Sequence, residues 1–76
     1  MAQHHPAVTN LLRYFAYDHL PEQLREISQP FGELAHGLVE RRDLDGPELT
    51  VALRKLLEAK DCAVRAALPA PAGEDI

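Results

Sequence analysis

Seventy-six residues allow one domain at most and bury too little apolar area for comfortable stability in isolation. The single cysteine, Cys62, excludes a disulfide within the chain, and His4, His5, His19 and His36 have no zinc-ligand spacing, so support is expected from a partner. A formal net charge of −4 disfavours a nonspecific duplex DNA or RNA binder, which needs a broad basic face, but leaves room for one local basic pocket.

No apolar run approaches the roughly 20 residues of a membrane span. The opening MAQHHPAVTN has no basic region followed by an apolar stretch, so a cytoplasmic protein is expected, with residues 1–5 as a flexible N-terminus and His4-His5 part of it. Nothing alternates with period two over a strand-sized window, and the fold class expected is all-α. The first helix is short, about Pro6 to Ala16. Pro6 suits a first-turn position, and Leu11, Leu12, Phe15 and Ala16 share a face.

The second helix opens at Pro21, with Glu22 near the positive end of its dipole. Leu24, Ile27, Phe31, Leu34 and Leu38 recur at steps of three and four, the spacing of one buried seam. Pro30 lies inside that seam, and a proline there removes a donor and crowds the carbonyl four residues back, so a kink or break is expected around Glu26 to Pro30. The helix is expected to end near Arg41 or Arg42, whose charges favour the negative dipole end.

In DLDGPE, Asp45 or Gly46 is expected to cap a third helix that starts at Pro47 and runs to about Leu68. A joint this short predicts an antiparallel helical hairpin for the two long helices, with residues 6–68 as the domain. Residues 69–76, PAPAGEDI, read as a disordered, acidic, proline-rich tail.

On the third helix Leu49, Leu53, Leu56, Ala63 and Ala67 follow the seam, and Lys60 stands at the missing position. A second stripe, Leu53, Leu57, Val64 and Leu68, lies beside the first. Two stripes exceed what one partner helix covers, which predicts a homo-oligomer. Asp61 and Arg65 have the spacing of a surface ion pair. Lys60 either lays its stem on apolar surface with the ammonium in water, or, with Arg65, faces an anionic ligand beside the small residues Ala63, Ala66 and Ala67. Arg54 and Lys55 could extend such a patch. Cys62 reads as a small apolar packer. Tyr14, Phe15 and Tyr17 cluster at the end of the first helix, as core rings or as a stacking platform for a base. No nucleophile with its base, glycine-rich phosphate cradle or carboxylate dyad is present in the pattern, so neither catalytic residues, metal ligands nor a cofactor are expected.

The runs FAYDHLPEQL, ELAHGLV and DGPELTVALRKLLEAKD, with the alanine-rich turn that follows, resemble the small phage helical-hairpin family of anti-CBASS and anti-Thoeris proteins. The resemblance covers about Tyr14 to Leu68. It implies an oligomeric sponge that sequesters cyclic nucleotide signals of bacterial defence, without cleavage, in pockets between subunits. An aromatic followed by histidine and proline before the long helix matches Tyr17, His19 and Pro21; the start and centre of the second arm match Pro47 to Thr50 and Leu57 to Ala59. The sequence departs from the family at Ser28, where a phosphate-holding basic residue is common, and at Val64, where asparagine is common. Arg25, Arg54, Lys60 or Arg65 could supply the lost charge. The expected ligand-binding set is therefore Tyr14, Tyr17, His19, Arg25, Ser28, Arg54, Lys60 and Arg65, for a cyclic dinucleotide, cyclic trinucleotide or cyclic ADP-ribose-type ligand. The alternative is a helical protein-interaction module acting on a host regulator.

Overall fold

A computed structural model describes residues 5–68. The expected flexible N-terminus falls outside these residues except for His5, and the acidic tail at 69–76 falls outside altogether. The described residues form three helices with no strand: α1 Pro6–Arg13, α2 Glu22–Glu40 and α3 Pro47–Ala67. None is long and apolar enough to cross a membrane.

Helix starts follow local chemistry. Pro6 occupies the first turn of α1, where its missing N–H costs nothing, and the Nδ1 atom of His5 accepts from the Ala7 N–H at 3.0 Å, one of the donors a helix start leaves without a partner. His5 is therefore a cap rather than part of a loose tail. At the head of α3, Gly46 adopts φ 86°, a left-handed conformation that disfavours any residue with a Cβ, and Pro47 follows as the first helical residue. Asp45 Oδ1 accepts from the Gly46 N–H at 2.8 Å and steadies that turn.

Two boundaries differ from expectation, and one helix runs on through its proline. The helix α1 stops at Arg13, because Tyr14 and Phe15 turn through tighter bonds to the Leu11 and Leu12 carbonyls, both at 3.0 Å. The helix α2 passes through Pro30 without breaking, although the ring deletes the bond to the Glu26 carbonyl. It ends at Glu40, so neither Arg41 nor Arg42 sits in its last turn. Asp43 draws Arg41 away instead: Nε and Nη2 of Arg41 donate to its two carboxylate oxygens at 2.9 and 2.6 Å.

The core is Val8 and Phe15 from the first segment, Ala35 from α2, and Leu49 and Leu53 from α3, with Leu11, Leu12, Phe31, Leu38, Val39, Leu44, Leu56 and Leu57 packed around them. On α2 the buried line is Ser28, Gly32 and Ala35, one step round from the leucine-rich seam the spacing predicts. Leu24, Ile27, Phe31 and Leu38 are half-buried at its flanks and Leu34 is 53% exposed. Close approach is the reason. A Cβ on Gly32 would lie 2.9 Å from the Phe15 carbonyl oxygen and 3.0 Å from the Tyr17 ring, so only a small residue lets the Phe15–Tyr17 segment rest on α2. Phe31 and Leu38 still pack against the core from this flank, and Leu34 is left uncovered.

Candidate functional site

The segment between α1 and α2 sorts its aromatic side chains to opposite surroundings. Phe15 is turned inward and is 1% exposed, while its neighbour Tyr14 is 65% exposed. Tyr17 lies against Gly32. The chain then turns again, with the Leu20 N–H donating to the Tyr17 carbonyl at 3.1 Å, before Pro21 introduces α2. This turn brings His19 to the same side as Tyr14.

The position left open in the α3 seam is filled by the stem of Lys60, whose side chain is 11% exposed. Its ammonium has a specific partner: Nζ donates to the Tyr14 carbonyl at 2.5 Å, beyond the last turn of α1. It also stands 3.5 Å from Asp61 Oδ1 and 5.8 Å from the centre of the Phe15 ring. A cation at a helix C-terminus satisfies carbonyls that have no partner within the helix and opposes the negative end of its dipole. Neither sequence reading of Lys60 anticipates this, because the carbonyl belongs to a residue 46 positions away.

Asp61 thus pairs with Lys60, and the expected Asp61–Arg65 pair does not form. The guanidinium of Arg65 instead reaches back to Cys62, where Nη2 donates to Sγ at 3.4 Å, a weak acceptor. Cys62 is exposed, not the apolar packer expected. The reason for both is position: the ammonium fixed on Tyr14 holds the Asp61 carboxylate beside it, and Arg65 is left with what the preceding turn offers.

Around Lys60 opens a cleft of about 390 Å³ lined by Arg13, Tyr14, Ala16, His19, Leu20, Ser28, Lys60, Asp61, Val64 and Arg65. Five of the eight residues expected from sequence meet here: Tyr14, His19, Ser28, Lys60 and Arg65. The other three lie elsewhere. Tyr17 lines a different hollow with Asp18, Glu33, His36 and Glu40. Arg54 faces an apolar hollow at the start of α3, beside His5, Val8 and Pro47. Arg25, half-buried on the first turns of α2, lines none of these three.

Among the described residues three basic side chains, Arg13, Lys60 and Arg65, thus face one carboxylate, Asp61, in a chain whose net charge is −4. The hydroxyl of Ser28 is fully buried in the wall of this cleft and has no hydrogen-bond partner. Leaving a buried polar atom unpaired costs about 1–3 kcal/mol. Arg13 is the residue that sequence reasoning missed; its only signal is a basic side chain in the last turn of α1, next to Tyr14. Among the described residues no cluster of histidine, cysteine or carboxylate side chains could hold a metal ion. Comparison with family models, with curated proteins and with solved structures returned no match.

Proposed function

We propose that the chain is a noncatalytic sponge that sequesters a cyclic nucleotide signal of bacterial anti-phage defence, of the CBASS or Thoeris type, with its phosphate in the cleft between α1 and α3. The observation that carries this is the gathering of Arg13, Lys60, Arg65 and the exposed Tyr14 ring in one cleft of an acidic chain. Phosphate contacts are local and strong, whereas net charge sets only the long-range field. The Tyr14 ring offers a base a stacking face, a contact of about 1–3 kcal/mol, while the Tyr17 ring lies against Gly32 outside this cleft.

The sponge reading includes an antiparallel arrangement of α2 and α3. Leu38, near the end of α2, lines a hollow with Leu49 at the start of α3, and Ser28 shares the cleft with Val64 near the other end of α3. It also includes a homo-oligomer, for which the half-buried Leu24 and Ile27 and the exposed Leu34 supply an apolar face on α2.

The exposed Leu34 also favours a second reading, a helical module that binds a host regulator. Incubating the protein with extract of cells whose defence signalling is active, then heating and weighing what is released, separates the two. An intact cyclic nucleotide supports the sponge. A co-purifying protein without nucleotide supports the module.

A further inference from the structure

The cleft has three cations, but they are not equally available. Lys60 has its ammonium committed to the Tyr14 carbonyl and to Asp61. The two ion pairs among the described residues are Lys60–Asp61 and Arg41–Asp43, so Arg13 faces the cleft without a carboxylate partner there, and Arg65 has only the Cys62 sulfur. Most basic side chains among the described residues have no ion pair, and what sets Arg13 and Arg65 apart is that they line the same cleft with their guanidinium groups open to an incoming anion.

Position raises a difficulty and also resolves it. Arg13 ends α1, and the negative end of a helix dipole repels an anion. The ammonium of Lys60 donates to the Tyr14 carbonyl beside it and opposes that field, with Asp61 at 3.5 Å sharing the same ammonium. Ser28 adds the unpartnered buried hydroxyl in the wall of the same cleft.

We propose that Arg13 is a phosphate-binding residue of this cleft, acting with Arg65, and that Lys60 is a positioning residue that neutralises the end of α1 for them. This rests on the reading of the cleft as a phosphate site. It does not depend on which molecule carries the phosphate.

The test is a nitrogen–proton correlation spectrum of the arginine side chains, recorded on the full chain with inorganic pyrophosphate and, separately, with a cyclic di-adenylate. Pyrophosphate is expected to shift the Nε–H signals of Arg13 and Arg65. Arg13→Gln should weaken its binding by about 10-fold or more, the equivalent of one charge-assisted hydrogen bond, with the fold retained. Lys60→Met should lower both affinity and melting temperature while the Arg13 signal still moves at saturation. Pyrophosphate that binds with the Arg13 signal still, or with equal affinity to Arg13→Gln, overturns the assignment. Pyrophosphate binding through Arg13 with no response to the cyclic di-adenylate supports the assignment and counts against the nucleotide. A native chain that binds neither overturns both.

Discussion

The ammonium of Lys60, on α3, donates to the main-chain carbonyl of Tyr14, 2.5 Å away at the end of α1. One side chain thereby fills the gap in an apolar seam, ties the first helix to the third and sets the charge of the cleft between them. Lys60→Met keeps the stem and removes the donor. It is expected to cost about 1–2 kcal/mol in urea denaturation, the range for a charged donor at a helix C-terminus.

Gly32 and Gly37 make opposite expectations on one helix. At Gly32 a Cβ would meet the Phe15 carbonyl oxygen at 2.9 Å, so Gly32→Ala should destabilise by about 1–3 kcal/mol despite alanine's better helix propensity. Nothing lies within 4 Å of a Cβ at Gly37, and Gly37→Ala should stabilise by about 0.5–1 kcal/mol. Thermal melts of the two variants check the pair.

How much of this was legible in the sequence depends on the kind of signal. Pro6, Gly46 and Pro47 act through their own backbone, so the helix starts they mark are where the sequence places them. The leucine spacing of α2 misdirects by one step, since hydrophobicity does not report that Gly32 and Ser28 permit a close approach that leucine would block. At the site, the charge within the α3 seam was visible, and it led to Lys60 and Arg65. The partner of Lys60 is a carbonyl, which no residue type announces, and Arg13 becomes a candidate only once α1 is folded against α3.

Among the described residues Asp61 is the one carboxylate lining the cleft, and it lies beside Lys60. Asp61→Asn removes negative charge from an anion site, so nucleotide or pyrophosphate affinity measured by calorimetry should rise. The same change in an ordinary wet helix edge would leave affinity at background.

Arg41 and Asp43 provide an acid-range expectation remote from the cleft. The hydrogen bond from the Arg41 guanidinium is the main reason that the Asp43 carboxyl is held below its ordinary value, and the same bond raises the Arg41 guanidinium above its own. A lowered folded-state value means that the pair favours the fold above the unfolded-state carboxyl pKa of roughly 3.9 and loses this as pH falls through the folded value. A carboxyl NMR titration should place Asp43 below that reference, and Arg41→Gln should return it. Both side chains are well exposed, so the melting temperature near neutral pH should hardly change.

Leu34 is 53% exposed on α2, on the face that the proposed oligomer would cover. Leu34→Glu should reduce the mass seen by light scattering to that of a monomer, since an unpaired carboxylate in a dry contact is costly, and should leave helicity intact. A native chain that is already monomeric at micromolar concentration would remove the oligomer.

Calorimetric titration of the native chain with a cyclic dinucleotide, a cyclic trinucleotide and a cyclic ADP-ribose-type ligand tests the sponge most directly. The expected result is saturable binding of at least one of them, recovered chemically intact, and weakened by about 1.5–3 kcal/mol in Arg65→Ala through loss of a charge-assisted contact. No binding heat from any of the three, or a ligand returned cleaved, would contradict it.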